Sequence, residues 1–291
     1  MHQTRKLLPT PLQAPEITIP YALACRSSAG ARPANEDLAL ASQLHVQSLP
    51  CLQVLAVADG MGGGPCGALA AQEALLGWLH GLIAGMLAPT APGTPVDLPA
   101  VLHHGFDTAW QAVRRAVAEN PFLEGMASVL ATAVATGDKL IAMGVGDCRV
   151  YLVRRGQVLL LTKDDSLVQL LVDARELTPE EAQNHPRDNE ITEALGWEEG
   201  FAKPDYAIRS LLPGDLVLVS SDGFWKTGEA ELPDLVRAHL TDDAGDAVLE
   251  NFCEALVQTA LENGADDNIS VAALWRRPAA PEPSPTPEKG A

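Results

Sequence analysis

Acidic residues recur at the ends of apolar runs in this chain. Asp59-Gly60 closes "LQVLAVA" (52–58), and Asp222-Gly223 closes the run in "VLVSSDGFW". Asp266-Asp267-Asn268 opens "ISVAALW" (269–275), Asp147 follows "KLIAMGVG" (139–146), and Glu36-Asp37 begins "EDLALA". Any one of these acids, alone, reads as a turn or a strand-end cap. Together, acids at several strand ends can converge on one cleft. Carboxylates gathered there repel one another and take up protons unless a cation offsets their charge. Oxygen donors select Mg²⁺ or Mn²⁺ over zinc. No His/Cys cluster competes, because the adjacent pair His103-His104 points two ways if it lies on a helix.

A second pattern overlaps the first. Gly62, Gly64 and Gly67 spell G-x-G-x-x-G between an apolar run and an Ala-rich helical pattern. A dinucleotide-binding turn needs an acid about 20 residues further on, at the end of the next strand. That place is "AGMLAPTAP", with no acid before Asp97, so the required context is missing. Glycines that serve only a tight turn remain the plain alternative. Neither a G-x-S-x-G elbow nor a phosphate-binding G-x-x-x-x-G-K-[ST] loop occurs.

The acids need elements to carry them. Strand patterns fall at 52–58, 128–135, 139–146, 149–154, 158–162, 215–222 and 269–275, with a further one starting at Glu36-Asp37. Links as short as "TGD", "RGQ" and "LPGD" suit antiparallel neighbours, since a parallel pair needs a crossover of a dozen or more residues. Helical patterns cover about 68–86, 99–118, 166–175, 178–184, 230–240 and 245–263, and "APTAPGTPVDLP" (88–99) reads as a surface loop. Strands and helices come in blocks, which predicts an α+β protein with antiparallel sheets covered by helices.

The 291 residues are 47% hydrophobic and 20% charged, with a formal net charge of −18. Such a charge excludes a phosphate-backbone partner, which needs a positive footprint. No apolar run reaches membrane-span length. Prolines interrupt the start "MHQTRKLLPTPLQAPE", which therefore does not read as a secretory signal. The five cysteines show no C-x-x-C spacing and read as reduced thiols in a cytoplasmic protein. Residues 1–15 read as a flexible arm, 16–276 as one domain, and the Pro-rich 277–291 as a disordered tail.

Six motifs in order carry a resemblance: R-x-x-x-E-D (Arg32–Asp37), D-G-M-G-G (Asp59–Gly63), G-D-x-R-x-Y (Gly146–Tyr151), T-x-D-x-S (Thr162–Ser166), G-D-x-x-L-x-x-S-D-G (Gly214–Gly223) and D-D-N-x-[ST] (Asp266–Ser270). The chain resembles the metal-dependent PP2C (PPM) protein Ser/Thr phosphatases over about residues 20–276. Met61, where many eukaryotic relatives carry histidine, is similar to the bacterial branch. The resemblance implies a four-layer αββα sandwich, with two stacked antiparallel sheets flanked by helices and a flap at about 163–205.

It also implies a dinuclear Mn²⁺ or Mg²⁺ centre that makes hydroxide from water. Asp59 would bridge the ions. Gly60, through its carbonyl, with Asp222 and Asp267 would complete the shells, and Glu36 and Asp37 would act through water. Asp147 would hold a third ion, and Arg32 would grip the substrate phosphate. The implied activity is hydrolysis of phosphoserine and phosphothreonine on proteins by a monomer opposing a bacterial Ser/Thr kinase, with no nucleic acid and no membrane as partner. A non-catalytic phosphoprotein binder and a nucleotide-binding oxidoreductase are the alternatives. Cys148, Asp165 and Lys226-Thr227 depart from the family pattern, which commonly has serine, histidine and an acid at those places.

Overall fold

The computed structural model describes residues 21–45, 51–63, 65–88, 96–183, 185–198, 200, 204, 206–241 and 247–278. The expected arm at 1–15 and all but two residues of the expected tail lie outside these, as does most of the expected loop at 88–99.

Among the described residues, ten strands pair antiparallel in two five-stranded sheets. The first has the order β2 (Asp37–Leu44), β3 (Leu52–Met61), β4 (Ala127–Thr136), β5 (Lys139–Val145), β8 (Tyr206–Ser210). The second has the order β1 (Tyr21–Ser28), β10 (Ile269–Arg276), β9 (Leu216–Ser220), β6 (Arg149–Arg154), β7 (Gln157–Leu160).

The central strands are apolar on both sides because both faces are covered, and the two-residue period sorts their side chains. Val54, Ala56 and Ala58 of β3 and Leu130 and Val134 of β4 pack under α1 (Pro65–Leu87) and α2 (Leu98–Glu119), with Trp78, Leu82, Leu102 and Phe106. Their neighbours Leu55, Val57, Val129 and Ala131 point the other way, into a core shared with Val150, Leu152, Val217, Val219 and Leu274 of the second sheet. The outer face of that sheet, with Leu218, Val271 and Trp275, is covered by Phe224 of α5 (Asp222–Gly228), Leu232 of α6 (Leu232–His239) and Phe252 and Leu256 of α7 (Val248–Glu262). The result is the expected helix–sheet–sheet–helix stack.

Several boundaries differ from the sequence reading. β9 ends at Ser220 and Asp222 already begins a helix. The α2 helix starts inside the expected loop, where the Asp97 carboxylate accepts from the Ala100 N–H at 3.3 Å and caps it. Strands β1 and β8 had no signal: β8 is an exposed edge strand, and half of β1 faces outward, so neither has a long apolar run. Inside the expected flap, the described residues form α3 (Leu167–Asp173) and α4 (Pro179–Ala182).

Candidate metal centre

Strand pairing brings the first two acids together. Asp37 at the start of β2 faces Asp59 near the end of β3 on one rung of the ladder. The next residue, Gly60, donates its N–H to the Glu36 carbonyl at 3.2 Å. A side chain there has no room, since a Cβ on Gly60 would lie 1.8 Å from the Gly67 carbonyl oxygen. A Cβ on Gly67 would in turn lie 2.0 Å from Glu36 Oε2. The glycines therefore let the end of β3 and the first turn of α1 touch backbone to backbone beside Asp59 and Glu36. This close approach answers the dinucleotide reading, since the strand belongs to an antiparallel sheet with no βαβ unit.

The second sheet supplies the remaining acids and the clamps that hold both sheets in register. Ser221, between β9 and α5, donates its hydroxyl to Asp37 Oδ2 at 2.8 Å and accepts the Ser270 N–H at 3.0 Å. Asn268 donates to the carbonyls of Ala29 and Ala34, both at 2.9 Å, and accepts the Glu36 N–H at 2.7 Å. One buried amide thus fixes the loop that carries Arg32 and Glu36 against the start of β10. Asp147 is buried in the turn between β5 and β6. Asp165 braces that turn, accepting the Gly146 N–H at 3.0 Å.

Arg32, Glu36, Asp59, Gly60, Asp147, Asp222 and Asp267 line one cleft of about 580 Å³, together with Met61, Asn189 and Lys226. Asp37, opposite Asp59 on the β2–β3 rung, is buried and does not line the cleft. The charges are strongly coupled. Burial, then the hydrogen bonds of Ser221 and Ser270 against it and the repulsion of Asp222 and Asp267, leaves Asp37 pushed up to about 7. Burial and the charges of Asp37, Asp222, Asp147 and Asp267 push Asp59 well above the usual carboxylate range. Asp147 is pushed up to about 7 by burial and Asp222, with Lys226 opposing.

Two cations of the chain engage this set. Arg32 donates to the Asp266 carbonyl and to Asp267 Oδ2, both at 2.8 Å, with its guanidinium half exposed. Lys226 Nζ lies 2.7 Å from Asp222 Oδ2. The other oxygen, Asp222 Oδ1, is buried and accepts no hydrogen bond. Among the described residues, no three His, Cys, Asp or Glu side chains are drawn tightly enough together to hold one ion as they stand. The donor set fits a divalent cation all the same: its ligands are oxygens, one of them an orphaned buried carboxylate oxygen, and their mutual repulsion is what a hard cation relieves.

Sequence reasoning missed the supports. Ser221 and Asn268 stood inside recognised motifs, which was a signal for them. Asn189, which accepts from Lys226 Nζ at 2.6 Å, had none.

Comparison with known proteins identifies the family in which this chain's fold and acid cleft belong. The family description "Protein phosphatase 2C" matches residues 33–270. The chain belongs to the protein phosphatase 2C family. It is 33% identical over 258 residues to the serine/threonine protein phosphatase PstP of Mycobacterium tuberculosis, covering 88% of this chain and 45% of that protein. It is 30% identical to protein phosphatase PhpP of Streptococcus pneumoniae, covering 75% of this chain and 84% of that one. The crystal structure of the PstP catalytic domain in complex with 2 manganese ions superposes with a TM-score of 0.68 at 30% identity, over 87% of this chain and 97% of that one. The chain thus spans less than half the length of PstP.

Proposed function

We propose that this chain is a metal-dependent protein phosphatase that hydrolyses phosphoserine and phosphothreonine esters. The observation that carries the reading is the gathering of Asp59, Asp147, Asp222 and Asp267, from separate strand ends, around one cleft with Arg32 on its wall. Asp59, the Gly60 carbonyl, Asp222 and Asp267 would hold two divalent ions, Mn²⁺ or Mg²⁺, with Glu36 acting through water. Bound there, the ions supply a water of lowered pKa and positive charge for the phosphoryl oxygens.

The chain does the rest. Arg32, half exposed on the cleft wall, turns its planar guanidinium to the substrate phosphate and orients the ester. The Ser221 hydroxyl holds Asp37 on the rung opposite Asp59. Met61 lines the cleft without offering a proton. Cys148 is no nucleophile: it is buried, and burial followed by the nearby acids pushes its thiol well up, so thiolate does not form near neutrality.

Proteins carrying phosphoserine or phosphothreonine, a Ser/Thr kinase among them, would be the partners. The domain would act as a monomer in the cytoplasm. The five cysteines, with no C-x-x-C spacing, suit a reducing compartment. No described helix is long and apolar enough to cross a membrane.

The test is hydrolysis of p-nitrophenyl phosphate and phosphothreonine peptides by purified protein with Mn²⁺ or Mg²⁺. Turnover that EDTA abolishes and added metal restores is the expected result. Full activity in EDTA would overturn the metal reading. Peptide binding without any turnover would instead favour a non-catalytic phosphoprotein binder.

A further inference from the structure

Among the described residues, Lys226 is the one lysine on the wall of the cleft. It stands one helical turn after Asp222 on α5, so helix geometry places its ammonium over that carboxylate. Its Nζ lies 2.7 Å from Asp222 Oδ2 and donates to Asn189 Oδ1 at 2.6 Å. The two oxygens of Asp222 therefore have different surroundings: Oδ2 is held by the ammonium, while Oδ1 is buried with no hydrogen-bond donor. A metal at Oδ1 does not require Lys226 to leave.

Asp147 is the other acid on this side. Trp225, next to Lys226, donates its indole N–H to the Asp147 carbonyl at 2.8 Å. That bond ties the β5–β6 turn to α5, and the Lys226 charge acts on the Asp147 carboxyl as well as on Asp222. The lysine side chain is only 23% exposed. It also borders a second cavity of about 950 Å³ together with Asp147.

We propose that Lys226 supplies a permanent positive charge at Asp222 Oδ2, in place of a further metal ion beside Asp147. A hydrated ion held by one or two carboxylates is weakly bound. A tethered ammonium paired with Asp222, whose charge also acts on Asp147, satisfies the same charge and repels a divalent cation brought next to it. Its bond to Asn189 also fastens the 185–190 loop to the cleft, so the charge and the loop are set by one side chain. The proposal rests on the reading that these acids hold divalent ions.

The experiment is calorimetric titration of the metal-stripped protein with Mn²⁺. The parent should take up about two ions, the number in that crystal structure of the PstP catalytic domain. Lys226→Met keeps the stem and removes the charge, and it should bind about one further, weaker ion. Lys226→Arg should keep the parental count, and Lys226→Met combined with Asp147→Asn should lose the extra ion. Equal counts and affinities in parent and Lys226→Met overturn the proposal. So does a third ion in the parent that Asp147→Asn removes, a result that needs no lysine variant to fold. A parent that binds no Mn²⁺ overturns the metal reading itself, a different outcome.

Discussion

Asp37 and Asp59 stand opposite each other across the β2–β3 ladder, so two carboxylates share one rung of a sheet. A ladder pair of like charges is destabilising, and here Asp37 is buried as well. Burial comes first among the causes that raise Asp37 from 3.8 to about 7.

The pH dependence of the metal-free protein follows from that pair. An acid whose folded pKa lies above its unfolded value binds extra protons in the folded state between the two values. Stability contributed by that proton uptake is present at the acid end and is lost as pH rises from about 4 toward about 7. The EDTA-treated parent should therefore lose more melting temperature across this window than Asp37→Asn does, and Mn²⁺ should remove the difference. Parallel melting curves for the two proteins without metal would count against the coupling.

Asp222→Asn and Asp267→Asn should each lower kcat on a phosphothreonine peptide by at least about 10²-fold, because each removes a charged oxygen donor from the proposed centre. Steady-state kinetics at saturating Mn²⁺ tests this. Asp222→Asn that kept parental kcat would place the metal elsewhere.

Arg32→Ala should lower kcat/KM by about 10²-fold, the scale of a lost bidentate, charge-assisted contact. Arg32→Lys should recover only part, because an ammonium cannot make the forked contact. Arg32 also bonds Asp267, so Mn²⁺ titration is the control. If Arg32→Ala abolished metal binding, the residue would be holding the metal loop and not the phosphate.

Gly60→Ala should destabilise the fold, since its Cβ would fall 1.8 Å from a backbone oxygen that cannot step aside. A loss of about 1–3 kcal/mol or more is expected from such overpacking, read as a drop in melting temperature. A parental melting temperature would mean that the strand end and α1 do not touch there.

Asp215→Ala should also destabilise, with no direct effect on metal binding. Asp215 lies in the same motif as Asp222, yet it is buried away from the cleft, where it accepts both Arg154 Nε at 2.8 Å and Nη2 at 2.6 Å. Removing one partner of such a pair costs about 3 kcal/mol, somewhat less here because Arg154 is partly solvated. Chemical denaturation with Mn²⁺ binding measured in parallel separates the two effects.

The acids at strand ends were legible in the sequence because each ends or begins a run of residues apolar on both faces, and the motif order named the family. The glycines after Asp59 were legible as a pattern but not as a cause. Their reason is a backbone-to-backbone approach between Gly60 and Gly67 that involves a third segment at Glu36. Motif membership likewise did not separate ligands from supports. In G-D-x-R-x-Y and T-x-D-x-S, Arg149 pairs with Asp164 at 2.7 Å and lies over the Trp225 ring, so these two residues join one motif to the other.

Sequence alone determined the inventory: which strands are covered on both faces, where their acids fall, and that no thiol or serine elbow competes. Tertiary structure decided which charges meet. Asp267 and Arg32 are 235 residues apart and Ser221 and Asp37 184 apart, and contacts of that separation depend on the register of two sheets packed face to face. Spacing along the chain carries the period of one strand or helix. It does not carry the register of one sheet against another, which is set by how the side chains between them fill the shared core.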